Sequence, residues 1–216
     1  MISVATFSPP EWNDREILRY ARADKNDESI LRLIEECKAE SAPILSYKVS
    51  YSVLDIIRDD GRLSLSIIDT DSKVINKALS GCDKALLFAA TVGESLDRLL
   101  RKYSITEPSR AVILHAIGAE RVEALCDTFC KKFSLENSLY IRTRVSPGYG
   151  DIPLSMQRDI FALLDCPRKI GLTLNEALLM SPSKSVTAVA GIMSDPCEND
   201  DDKCSVCEKT NCIFRD

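Results

Sequence analysis

A single long helical pattern constrains this chain more than any other feature. Leu114, Ile117, Gly118, Val122, Leu125 and Phe129 recur at helical spacing, and the pattern runs to about Lys132. Pro108 suits the first turn of such a helix, where a missing backbone N–H leaves no bond unmade, and Thr106 is a candidate cap. A helix of this length predicts the spine of a domain, against which the other elements pack.

Shorter periodicities flank it. Asn13 or Asp14 can cap a helix through Ile17, Leu18 and Tyr20; Asn26 or Asp27 can cap a second that shows Ile30, Leu33, Ile34 and Cys37 on one face, with Pro43 ending that region. Tyr47, Val49, Tyr51 and Val53 alternate like a strand, Asp60-Gly61 is a strong turn signal, and Leu63, Leu65 and Ile67 alternate after it. Residues 47–69 are therefore expected to form one antiparallel hairpin. A short helix over 72–79, a buried strand over 85–92 and an amphipathic stretch over 94–103 follow. Past the spine, a loop over 144–153 leads into a helix over 154–164, and Ser185–Met193 alternates as a final strand.

These elements predict an α+β fold: a single body, residues 1–193, with a mainly antiparallel sheet packed against helices that include one long helix. Residues 194–216 differ in composition, with an acidic linker (Glu198, Asp200, Asp201, Asp202) and a Cys-rich extension. With 45% hydrophobic and 28% charged residues, the body can bury a substantial core. The formal net charge of -5 and the lack of any Lys/Arg block argue against a nucleic-acid partner. No apolar run approaches the roughly 20 residues that span a bilayer, and no secretory leader is apparent, so a cytoplasmic protein without a membrane partner is expected.

Nine cysteines divide into two groups. Cys37, Cys82, Cys126, Cys130 and Cys166 are scattered in apolar or helical contexts and read as reduced thiols. The other four lie in the tail, as Cys204-x-x-Cys207-x4-Cys212 with Cys197 upstream. That spacing suits a tetrahedral thiolate site for zinc or an iron–sulfur cluster; the alternative is a set of free thiols or one redox-active disulfide. The one histidine, His115, reads as a helix-packing residue inside the long helix, so neither a Ser/His/Asp triad nor a multi-histidine metal site is expected. Neither a dinucleotide-binding Gly-x-Gly-x-x-Gly nor a P-loop follows a predicted strand.

The most informative loop reads Arg144-Val145-Ser146-Pro147-Gly148-Tyr149-Gly150-Asp151. Pro147 fixes one dihedral, and Gly148 and Gly150 permit conformations that other residues disfavour. Arg144 offers a planar fork for a carboxylate, and Tyr149 an aromatic face with a hydroxyl. A small zwitterion with an amino-acid end and an apolar or aromatic body would suit the set. The alternative is an ordinary strand-to-helix turn with its arginine in a surface ion pair.

Arg144-x-x-x-Gly148-Tyr149, followed by Gly171-Leu172-Thr173-Leu174-Asn175-Glu176-Ala177 and by Met180-Ser181-Pro182-Ser183-Lys184-Ser185-Val186, resembles the S-adenosylmethionine-binding reactivation domain of cobalamin-dependent methionine synthase. Ala90-Thr91-Val92-Gly93 and Val122-Glu123-Ala124 fall in matching order upstream, so the likeness spans roughly residues 85–193. The resemblance implies that Arg144 holds the ligand carboxylate, that Glu123 holds the amine or offsets the sulfonium charge, and that Ser146, Gly148 and Tyr149 complete the site. It departs at two places. The aromatic pair that the family carries beyond its last strand has no counterpart in residues 195–202, and its N-terminal acidic residue has no assigned match.

Nothing resembles the Asp-x-His-x-x-Gly motif of base-off cobalamin proteins, so the cofactor is expected on a partner rather than on this chain. What the resemblance implies is a stand-alone reactivation factor for a cobalamin-binding methyltransferase protein. It would act by positioning S-adenosylmethionine, with a donor such as flavodoxin or ferredoxin supplying the electron, and would need no general acid or base. The alternative is a non-catalytic small-molecule or redox sensor on the same fold.

Overall fold

The structure is a computed structural model in which residues 1–59 and 62–194 are described. β1 (Ser3–Phe7) opens the chain, followed by α1 (Asp14–Ala21) and α2 (Glu28–Ser41). Both helices begin where the sequence supplies an acceptor for otherwise unpaired N–H groups. Asn13 Oδ1 accepts from the Glu16 amide at 3.2 Å, and Asp27 Oδ1 from the Ser29 and Ile30 amides at 2.9 and 3.3 Å. A 3-10 turn, Ala42–Ile44, holds Pro43 and closes α2.

β2 (Tyr47–Asp55) comes next, then β3 (Ile57–Asp59), β4 (Arg62–Leu65), β5 (Ile68–Thr70), α3 (Lys73–Ala78) and β6 (Lys84–Thr91). The expected hairpin over 47–69 does not form as a unit. β2 pairs β1 on one side and β6 on the other, with Lys48 opposite Thr91 and Asp55 opposite Lys84. β3, β4 and β5 make a separate three-stranded sheet, in which Asp59 pairs with Arg62; Asp60 and Gly61 lie outside the described residues. The reason is length and burial: β6 offers β2 a long apolar partner, whereas β3 is exposed along its whole length.

α4 (Ser95–Thr106) and α5 (Pro108–Asn137) are separated by Glu107 alone. Pro108 starts the spine as expected, but Thr106 is not its cap: it ends α4, and its hydroxyl donates to the Lys102 carbonyl. α5 continues past Lys132 until Ser138 turns left-handed at φ 53°. The rest is β7 (Tyr140–Ile141), α6 (Met156–Leu164), α7 (Cys166–Ile170), β8 (Thr173–Leu174), β9 (Met180–Ser181) and β10 (Ser185–Met193).

The main sheet runs β1-β2-β6-β10-β7 with every pairing antiparallel. Its central strand shows why the sequence over 85–92 is apolar without interruption. Successive side chains of a strand point to opposite faces. Leu86, Phe88 and Ala90 join one core with Ile17, Ile34, Leu114 and Phe129; Ala85, Leu87 and Ala89 join another with Leu63, Ile75, Ile160 and Leu164. Helices therefore cover both faces, α5 being the chief element on the first. Phe129 anchors it there, with its ring centroid 5.1 Å from both Phe88 and Tyr51 and 6.2 Å from Phe7. Burying one such ring contributes about 1.5–3 kcal/mol. The expected α+β body, an antiparallel sheet packed against helices with one long helix, is what forms. The tail cysteines Cys197, Cys204, Cys207 and Cys212 lie outside the described residues.

Candidate functional site

A cleft of about 870 Å³ opens between α5, the segment that joins β1 to α1, and Arg144. That volume falls within the roughly 300–1,000 Å³ typical of small-molecule sites. One wall is built on α5, where Glu123 and Asp127, four residues apart, share a face. Against them lies Arg144, set by its neighbour: the Val145 amide and carbonyl exchange hydrogen bonds of 2.9 Å with Val189 on β10. The guanidinium is 14% exposed and forks across both acids, with Nη2 2.5 Å from Glu123 Oε2 and Nη1 2.5 Å from Asp127 Oδ1. Burial acts to lower its pKa, but the adjoining Asp127 and Glu123 carboxylates outweigh burial and hold it above the ordinary value. Cys126 behind it is fully buried, which pushes the thiol well up and keeps it protonated.

The other wall has no regular structure and is held by a buried ion pair. Arg121 is completely buried; its guanidinium donates to the Pro10 and Glu11 carbonyls at 2.6 Å each and to Glu120 at 2.5 Å. Glu120 in turn accepts from the Asn13 amide at 3.2 Å. The same guanidinium lies 4.0 Å from the centroid of the Trp12 ring, so four residues of irregular chain are stapled to α5. Tyr20 extends this wall from α1 with Arg19 stacked 4.4 Å over its ring, and burial together with the charge of Glu123 raises its phenol pKa.

Glu11, Asp14, Glu16, Glu120, Glu123 and Asp127 line the cleft against only Arg19 and Arg144. The acid excess favours a cationic occupant, while the Arg144 fork suits a carboxylate on the same molecule.

Of the residues singled out in the sequence, Glu123 and Arg144 meet directly in this cleft. Ser146, Gly148 and Tyr149 are not among its lining residues. Ser146 is half-buried, its carbonyl accepting from the Tyr149 amide at 3.1 Å, and Tyr149 projects at the loop tip, 53% exposed. The loop is tied down beyond that tip by Asp151, whose carboxylate accepts from Ser72 Oγ at 2.5 Å, the Lys73 amide at 2.7 Å and the Val74 amide at 3.3 Å. Gly148 and Gly150 both have positive φ, and a Cβ on Gly150 would sit 2.7 Å from Val74 Cγ2, so no larger residue fits there without a shift.

The downstream motif residues do structural work. Ser183 binds Asp97 through amide and hydroxyl, and Ser185 Oγ meets Thr91 Oγ1 at 2.8 Å, which fastens the start of β10 to α4 and β6. His115 was expected to pack within the helices. It is exposed instead, because Leu114 and Ile117 take the inward phase of α5. Asp127, Trp12, Tyr20 and the Glu120–Arg121 pair went unrecognised in the sequence; only the four-residue spacing of Glu123 and Asp127 carries a local signal. Among the described residues there is no group of three or more His, Cys, Asp or Glu placed to hold a metal, and no helix long and apolar enough to cross a membrane.

A family model described as vitamin B12 dependent methionine synthase, activation domain, matches residues 57–196. No curated protein sequence matches the chain. Among solved structures, a crystal structure of the MetH reactivation domain bound to AdoHcy superposes with a TM-score of 0.67 over 91% of this chain and 80% of that one. The two are 14% identical, so this second likeness is one of fold.

Proposed function

Because the chain belongs to the family of activation domains of vitamin B12-dependent methionine synthase, we propose that it binds S-adenosylmethionine and positions the methyl group for a cobalamin-bearing partner. The observation that carries this reading is Arg144 held between Glu123 and Asp127 in the lining of an acidic cleft. A ligand carboxylate takes one edge of the guanidinium fork, Glu123 is freed to accept from the ligand ammonium, and the surplus acids offset the sulfonium charge. The solved relative, whose crystal structure holds AdoHcy, supports a ligand of this class.

Cobalamin would reside on the partner, where a donor of flavodoxin or ferredoxin type supplies one electron to cob(II)alamin and the sulfonium methyl passes to the reduced cobalt, leaving the neutral thioether. The share of this chain is orientation, which lowers a barrier by removing translational and rotational freedom in advance. No proton has to move, and His115 is not among the residues that line the cleft. The tail thiols Cys197, Cys204, Cys207 and Cys212 are proposed ligands of zinc or an iron–sulfur cluster on the strength of their spacing alone; metal analysis with a visible spectrum decides it.

Isothermal titration tests the ligand. Wild type binds S-adenosylmethionine, and Arg144→Ala weakens binding by about 1.5–3 kcal/mol, the range for hydrogen bonds to charged groups. Equal affinity in the two proteins would remove Arg144 from the site. A cob(II)alamin-loaded partner that gains no methyl group in the presence of this chain, S-adenosylmethionine and a reductant would remove the reactivation role.

A further inference from the structure

Besides the charged groups that suit an amino-acid end and a sulfonium, two aromatic side chains line the cleft. Trp12 and Tyr20 both line it, and both come from the segment upstream of the residues that the family model matches. Trp12 is the only tryptophan in the chain.

Its ring packs against the main core and beside a buried cation. Arg121, with no exposed surface, lies 4.0 Å from the ring centroid and is itself locked by Glu120 and by the carbonyls on either side of the Pro10–Glu11 bond. The Asn13 amide on Glu120 fixes the backbone on the far side of Trp12. Lys38 approaches the same ring more loosely, at 5.8 Å, and is held by Asp14 and Glu35. An aromatic side chain held in one place, half-buried in a cleft, loses little freedom when a flat ligand covers it.

We propose that Trp12 is the stacking platform for the purine base of the ligand, so that the N-terminal segment supplies the adenosine half of the site and α5 with Arg144 the amino-acid half. The inference rests on the reading that this cleft takes S-adenosylmethionine. It makes Trp12 a binding residue, and Glu120 and Arg121 positioning residues that act through it.

The single indole is also the reporter. Titrating full-length protein with S-adenosylmethionine is expected to quench tryptophan emission with the midpoint found by calorimetry. Trp12→Ala is expected to bind roughly 5- to 150-fold more weakly, the range seen when a base loses its aromatic partner, and Trp12→Phe to recover most of the loss. S-methylmethionine, which carries a sulfonium and an amino-acid end but no base, should bind wild type and Trp12→Ala alike. The wild-type fluorescence titration reads the idea even if Trp12→Ala does not fold. Binding that depends on Arg144, with no change in emission and no loss in Trp12→Ala, overturns the platform and leaves the ligand reading intact. Absence of any S-adenosylmethionine binding by wild type overturns both.

Discussion

On one side of the cleft, Glu123 and Asp127 ride on a 30-residue helix, and Arg144 is registered to β10 through a pair of backbone hydrogen bonds. On the other side, Trp12 sits in a few residues of irregular chain that one buried guanidinium grips by its carbonyls. The first wall inherits its position from secondary structure, so any substitution that leaves the helix and sheet intact leaves it in place. The second depends on a handful of side-chain bonds spanning more than a hundred residues of sequence. Two halves of one site can thus differ in how much of the fold must fail before they move.

The sharpest way to break this contrast is Arg121→Met. It leaves Glu120, 2% exposed, without its partner and should cost about 3–5 kcal/mol of stability, read from urea unfolding. Glu120→Gln in the same chain should return part of that loss, because no charge is then left buried. A loss below about 1 kcal/mol for the single variant would mean that the N-terminal wall is held by something other than the ion pair.

A smaller effect is expected at the helix caps. Asn13→Ala and Asp27→Ala each remove an acceptor from a helix start and should each cost about 0.5–2 kcal/mol. Asn13 lines the cleft and Asp27 does not. Only the first should also weaken ligand binding in a calorimetric titration; equal binding by both would show that the irregular wall tolerates loosening at its helical end.

The smallest effect concerns the loop on the ordered wall. The hydrogen bond from Ser72, followed by those from the Lys73 and Val74 amides, holds the Asp151 carboxyl below its usual range. A depressed folded pKa stabilises the native state above the unfolded value of about 3.9, and that contribution disappears as the pH falls through the folded value. Thermal melts of Asp151→Asn should therefore lie below wild type at neutral pH and converge with it in acid. Parallel curves would exclude Asp151 as a tether.

Much of the fold was legible because periodicity is a local property. The helical phase from Leu114 to Phe129, the Pro108 start, the caps at Asn13 and Asp27 and the strand Ser185–Met193 all follow from neighbours within a few residues. Strand partners are not local, which is why the alternation of β2 points to the wrong hairpin: it suits β6 as well as it suits the segment after Asp60-Gly61, and burial decides between them. The site divides along the same line. Arg144 and Glu123 stand in motifs that a sequence can display. Arg121 binds main-chain carbonyls, and a carbonyl has no residue identity from which to read a partner.

Arg144 never stands bare, and this has a consequence for what the cleft ignores. An uncovered guanidinium at such depth would be shared among the phosphate, sulfate and chloride of any cell fluid. Here it arrives with two counter-ions already in place. A simple anion that displaced them would strand two carboxylates beside each other. A molecule that brings its own ammonium can change places without leaving any charge uncompensated, so under the proposed function the trio would pass amino-acid head groups and turn away free anions.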